Sequence, residues 1–266
     1  MIDVWDIETF DTELRSFLDQ HAELIRNFWA ESRRLFEERE KQTVRGFHEQ
    51  NVFGPPHSAL YADVTVMMAE RIIRAWHYTR LTDGEAAMIQ AKGMHPMSLN
   101  LIRRRLDAMI EAGELTSSVG DNLFAASPYH EQIDGNRNDK IWLSSQPFEM
   151  DDSMVTGLVN GWGGESLNFA HQEGPIAALL ESIGRSRVIE FALPLRITTR
   201  IESAAKDVVD TYSFALDCQG AWGGGSDIVV VEPIPPELIL AIHSPGETDF
   251  DRFGRGYPAR WASHRH

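Results

Sequence analysis

The apolar pattern of this chain changes period once, at Ala75, and a fold built from one kind of element cannot satisfy both sides of the change. Before it, Phe10, Leu14, Phe17, Leu18, Ile25, Phe28, Trp29, Leu35 and Phe36 recur near a period of 3.6, with Asp, Glu and Arg between them. That spacing predicts a long half-buried helix over 9–45. Gly54-Pro55-Pro56 breaks it, and Ala59, Leu60, Val64, Met67, Met68 and Ile72 predict a second helix over 58–73. After Ala75 the apolar runs are short and β-prone: Trp76-His77-Tyr78-Thr79, Lys140 to Ser145, Arg187 to Leu193, Asp227 to Val231 and Leu238 to Ile242. Helices and loops separate them with no repeating βαβ period. The expected class is therefore α+β rather than a doubly wound parallel sheet. A helical N-terminal region over 1–70 and a second domain over 71–266 follow.

Helix ends are marked by local chemistry. Thr82-Asp83-Gly84-Glu85 fits a capping box, Gly93 is placed to stop the helix that follows, and Ser98 caps another that ends at Gly113. Residues 175–183 and 202–216 are expected to be helical. Residues 127–139 are polar and turn-rich and are expected as an exposed loop, and the stretch from Ser244 as an irregular tail.

Composition removes several classes. The 266 residues are 42% apolar and 24% charged, which suits a packed core and argues against disorder. No apolar run is long enough for a membrane span, and the acidic start Met1-Ile2-Asp3-Val4-Trp5-Asp6 lacks the basic region of a secretory signal. With Cys218 as the single cysteine, an internal disulfide and a multi-cysteine zinc site are excluded, and a cytoplasmic setting is expected. The net charge of −15 argues against general coating of nucleic acid. Charge is uneven, however. From 71 to 105 the bases are Arg71, Arg74, Arg80, Lys92, Arg103, Arg104 and Arg105, against the acids Asp83 and Glu85. Such a segment suits an anionic ligand.

The chain has no phosphate-binding Gly-x-x-x-x-Gly-Lys loop, no strand-linked Gly-x-Gly-x-x-Gly, no Gly-x-Ser-x-Gly elbow and no His-Glu-x-x-His pair. What remains is a spaced constellation. His77-Tyr78-Thr79 lies on an early strand, followed by a capped helix and the Ala91-Lys92-Gly93-Met94 turn. Trp142 and Ser144 lie on a central strand. A glycine-rich loop, Trp222-Gly223-Gly224-Gly225, leads into Asp227-Ile-Val-Val-Val-Glu-Pro-Ile-Pro-Pro-Glu-Leu-Ile239.

In order and spacing over 75–243 this resembles the ADP-ribosyltransferase fold, closest to the branch of DNA-modifying ADP-ribosyltransferase toxins and RNA 2′-phosphotransferases. The resemblance implies a split mixed β-sheet core carrying the catalytic site in 71–266, with the helical region beside it. It implies NAD as substrate, no metal, and transfer of ADP-ribose to a macromolecule, as in a bacterial toxin or phage-defence effector. Asp227 takes the place of the catalytic carboxylate, usually Glu in the family; Glu165, at the Gly161-Trp162-Gly163-Gly164 turn, is the second candidate, with Glu190 and Glu232 behind it. Such a carboxylate stabilises the oxocarbenium-like ribose formed when the nicotinamide bond breaks. His77 is expected to hold ribose hydroxyls, Tyr78 or Trp142 to stack on nicotinamide, Thr79 and Ser144 to supply hydrogen bonds, and Arg80 or Arg137 to meet the pyrophosphate. Arginine-directed members carry a second acid two positions before the catalytic one; here that position is Gly225. Trp222, Gly223 and Gly224 are expected to present an aromatic face to a base, so a nucleic acid is the favoured acceptor. The alternatives on the same fold are 2′-phosphotransfer from RNA to NAD, and a non-catalytic NAD- or partner-binding module. Residues 1–41, with eleven acids against six bases, suit a regulatory partner such as an antitoxin.

Overall fold

The computed structural model describes residues 1–41, 49–131, 137–171, 173–221 and 225–253. In chain order the elements are α1 (Thr12–Gln20), α2 (Ala22–Lys41), α3 (Gly54–Met68), β1 (Ile72–Leu81), α4 (Asp83–Lys92), α5 (Leu99–Glu111), α6 (Ser117–Ala125), β2 (Ile141–Ser144), α7 (Ser153–Val159), α8 (Gly174–Ser182), β3 (Arg185–Pro194), α9 (Ile201–Ala215), β4 (Asp227–Val230), β5 (Ile239–His243) and α10 (Thr248–Phe253). The protein is α+β. Among the described residues, five strands join in one sheet of order β4-β2-β1-β3-β5, where the resemblance implied a split one. The pairs β1/β2 and β3/β5 are antiparallel. No described helix is long and apolar enough to cross a membrane.

The chain packs as two units, divided differently from the expected 1–70 and 71–266. One unit is Met1–Arg74 with Leu193–Ile228; the other is Ala75–Ala192 with the described residues from Val229 onward. The expected boundary at 70/71 lies close to the observed one, but 193–228 returns to the helical unit because α9 packs on α3.

In the first unit, α3 buries His57, Leu60, Val64 and Met68 at spacings of three and four. Helix α9 is buried almost all round, from Ala204 to Ser213, as a helix enclosed by others must be. Its polar residues have partners: Tyr61 donates to Asp210 at 2.9 Å, and the Ser226 N–H and hydroxyl donate to Asp207 at 3.1 and 2.7 Å. The long N-terminal helix is two helices. His21 interrupts it, with its Nδ1 bonded to the Phe17 carbonyl at 2.8 Å. Residues 42–45 of that expectation lie outside the described residues. Gly54-Pro55-Pro56 begins α3 instead of merely breaking the chain, since proline lacks only an amide that the first helical turn leaves unpaired.

In the second unit the Thr82/Glu85 capping box forms as expected, and Gly93 ends α4 at φ 85°. A core of Ile102, Leu106, Met109, Leu115, Leu123, Tyr129, Trp162, Leu167, Leu180 and Ile183 lies under α5, α6 and α8. Full burial of one such aliphatic side chain contributes about 1.5–3 kcal/mol. Strands β3 and β5 pair Val188 with His243 and Glu190 with Ala241. The Gly93-Met94 turn hydrogen-bonds to the proline-rich stretch after β4: Met94 and Ile234 exchange both backbone bonds at 2.8 Å. A side chain at Gly93 would strike the Ile234 carbonyl.

Candidate active site around His77 and Trp142

Strands β1 and β2 set the first two groups. Trp76 lies opposite Ser144 in the antiparallel pair, and the next residue, His77, bonds through Nδ1 to the Trp142 carbonyl at 2.8 Å. A carbonyl only accepts, so the ring proton is on Nδ1 and the lone pair on Nε2. Burial holds the imidazole below its ordinary pKa, opposed by the Trp142 hydrogen bond and reinforced by the Arg105 charge. At neutral pH His77 is therefore an uncharged ring whose Nε2 can accept a hydrogen bond from a hydroxyl.

From Trp142 a line of contacts runs through Arg137 to Glu165 and Tyr129. The Arg137 guanidinium lies over the indole with its carbon 4.6 Å from the ring centroid. Arg137 Nη1 also meets Glu165 Oε2 at 3.1 Å. Tyr129, 7% exposed, has its phenol pushed up to about 12 by burial and by the Glu165 carboxylate, with Arg137 opposing. Local chemistry holds this side of the site. Ser127 caps the turn Pro128–His130, accepting from the Tyr129 N–H, and its hydroxyl donates to the Ser166 carbonyl at 2.8 Å. Glu165 lies in that second turn, Gly164–Ser166. The stretch expected as an exposed loop thus contributes a buried tyrosine. Residues 132–136 of it lie outside the described residues.

A second network lies behind His77. Glu85 accepts from Arg105 Nε at 2.7 Å, Trp162 Nε1 at 2.8 Å and the Thr82 N–H at 2.9 Å. Burial alone would raise the Glu85 pKa, yet the Arg105 charge and these donors hold it below its ordinary value. The Arg105 guanidinium stacks on Trp162 at 4.8 Å, and its Nη2 is buried with no hydrogen-bond partner among the described residues. The run Arg103-Arg104-Arg105 was the only sequence signal for it. Of these three, Arg105 shares the buried face with Ile102, Leu106 and Met109.

Several expected roles change. Arg80 donates to the carbonyls of Ile183, Val159, Gly184 and Glu181, so it binds the ends of α8 and α7 and is removed from the pyrophosphate role. Tyr78 is 4% exposed and its hydroxyl accepts from the Phe148 N–H at 2.6 Å. It is a core residue, which leaves Trp142 as the stacking candidate. The Ser144 hydroxyl donates to the Gln146 carbonyl at 2.6 Å, closing a turn at the end of β2. Thr79 is half-buried on β1. Glu190 is spent on His243 Nε2 at 2.9 Å, both buried. Asp227 is exposed at the start of β4 and belongs to the first unit. Trp222, Gly223 and Gly224 lie outside the described residues. No group of three or more His, Cys, Asp or Glu that could hold a metal occurs among the described residues.

No protein-family model, curated protein or solved structure matches this chain.

Proposed function

We propose that the chain is an NAD-dependent ADP-ribosyltransferase, with the nicotinamide ribose held at His77 and Trp142 and with a nucleic acid as acceptor. One observation carries this reading: His77, the neighbouring Arg137 and Trp142, and Glu165, from three separate stretches of sequence, are linked contact by contact within one unit. His77 Nε2 accepts from a ribose hydroxyl, Trp142 offers an aromatic face, and Glu165 supplies negative charge for an oxocarbenium-like ribose. Asp227, the first candidate by its motif, belongs to the other unit and becomes the alternative to Glu165. A toxin or phage-defence effector, acting in the cytoplasm and controlled by a partner, is the setting in which such an activity belongs.

The experiment is release of nicotinamide from NAD by the purified chain, alone and with single-stranded DNA, RNA or lysate, beside His77→Ala, Glu165→Gln and Asp227→Ala. We expect acceptor-dependent release, abolished in His77→Ala and in one of the carboxylate variants. Release without an acceptor would make the protein an NAD glycohydrolase. No release from a folded protein would leave the non-catalytic binding module, which the exposed Asp227 at a position usually held by Glu favours.

A further inference from the structure

We infer that Trp142 and Glu165 form a receptor for a planar aromatic cation, and that Arg137 is an internal competitor for it, occupying the place the ligand takes. The inference rests on the proposed function only for the natural ligand, the oxidised nicotinamide ring of NAD. A guanidinium is itself a planar, delocalised cation that stacks on aromatic faces and pairs with carboxylates. Arg137 does both at once: its guanidinium carbon is 4.6 Å from the Trp142 centroid, inside the ~6 Å range of cation–π attraction, and its Nη1 is 3.1 Å from Glu165. A flat ring bearing one positive charge satisfies the same two groups.

The three partners are not equally held. Trp142 is part of β2. Glu165 lies in a turn tied down by Ser127, against the buried Tyr129. The Arg137 side chain is 49% exposed, against 21% for Glu165. An exposed ion pair is weak because water competes for both charges. Arg137 is therefore the partner that leaves when a ligand arrives, and it can do so by rotating its own side chain.

Charge then gives the site a direction. When the bond between ribose C1′ and the nicotinamide nitrogen breaks, the bonding pair stays with nitrogen and the ring becomes neutral. The product loses its attraction to Glu165 and most of its attraction to the indole, while Arg137 loses neither. Arg137 thus favours expulsion of nicotinamide. The sign of its mutation is opposite to that of a pyrophosphate ligand: removal strengthens cation binding.

The test is calorimetric titration of the full chain with 1-methylnicotinamide, a planar cation lacking ribose and phosphate, beside neutral nicotinamide. The cation should bind and the neutral ring should bind more weakly. Arg137→Ala should tighten the cation about two- to fivefold, the worth of the exposed cation–π contact it vacates. Arg137→Lys, which keeps the charge but loses the plane, should lie between. Glu165→Gln should reduce the preference for the cation, leaving the part that the Trp142 indole supplies. Equal binding of both rings, or weaker cation binding by Arg137→Ala, overturns the inference. The proposed function fails separately: if the cation behaves as stated and NAD is never cleaved, the receptor stands without the enzyme. If NAD is cleaved and Arg137→Ala raises its KM, Arg137 returns to the pyrophosphate and the receptor falls.

Discussion

Replacing Glu85 separates the forces behind His77. In Glu85→Ala three things are lost. The side-chain half of the capping box goes, at about 1 kcal/mol for a cap. The Trp162 indole N–H, which donates to Oε2 at 2.8 Å, is left without its acceptor inside the core, at about 1–3 kcal/mol. Arg105, whose side chain is 13% exposed, keeps its charge and loses its partner; water reaches part of it, so about 1 kcal/mol is taken. The sum is roughly 3–5 kcal/mol, or ~6–20 °C in Tm at ~2–4 °C per kcal/mol. In Glu85→Gln the amide oxygen can replace Oε2, keeping the Trp162 and Thr82 bonds, while the amide nitrogen meets Arg105 Nε, donor against donor. That variant isolates the Arg105 interaction and should cost about 1–2 kcal/mol. The folded-state pKa of Glu85 is depressed, so its ionised form stabilises above the unfolded value of ~4.3 and that contribution is lost as pH falls through the folded value. The wild type and Glu85→Gln should therefore converge on acidification from neutral pH to below ~4. Thermal unfolding followed by circular dichroism across that range measures the gap. A gap constant from pH 7 to 3, or one that widens in acid, refutes the assignment of Arg105 and Glu85 as a working ion pair.

Two further substitutions test local geometry. Gly184→Ala should destabilise more than Gly113→Ala: both glycines have positive φ, which costs a side chain about 1–2 kcal/mol. A Cβ at 184 would also lie 2.8 Å from the Thr82 nitrogen, while that at 113 meets nothing. Equal urea midpoints for the two variants would remove the close approach of Gly184 to β1. Arg80→Met keeps the apolar stem but abandons the carbonyls of Val159, Glu181, Ile183 and Gly184. It should cost about 1–3 kcal/mol and leave the KM for NAD unchanged; a raised KM with unchanged stability would restore the pyrophosphate role.

What the sequence made legible was chemistry that acts over a few residues. The Thr82/Glu85 box, the Ser98 cap and the Gly93 stop need only neighbours within a turn, and each forms where its residues stand. Helices α6 and α7 are not legible in the sequence, because Gly120 and Gly157 look like breaks. Both glycines admit a neighbour instead: a Cβ would strike Ile110 at 120 and Phe169 at 157. The placement of α9 also needed structure. Asp207, Asp210, Thr211 and Ser213 make it read as a surface helix, yet all four are buried. Tyr61 and Ser226, distant in sequence from the carboxylates they bind, supply the hydrogen bonds that make this tolerable. Arg80 fails for the same reason, since its acceptors lie some hundred residues downstream. His77, Trp142, Arg137 and Glu165 are each named singly only through the resemblance. That Arg137 covers Trp142 was not legible, because no local rule links 137 to 142 and 165.

The carboxylates can be ordered by what holds them. A group that stabilises a cation forming on the substrate must be able to present its charge to that cation. Glu190 cannot do so cheaply: His243 is its buried partner across β3 and β5, and separating them strands polar groups away from water. Glu165 can do so more cheaply, because one of its partners is the half-exposed Arg137. Asp227 meets the requirement differently. It is solvent-exposed, and the residue before it is fixed by the buried Asp207, so it offers an accessible charge on an anchored backbone. Motif order ranks Asp227 above Glu165, whereas the exchange of partners ranks Glu165 above Asp227. Loss of nicotinamide release in Glu165→Gln with retention in Asp227→Ala would show that the exchangeable ion pair, and not the motif position, marks the catalytic carboxylate.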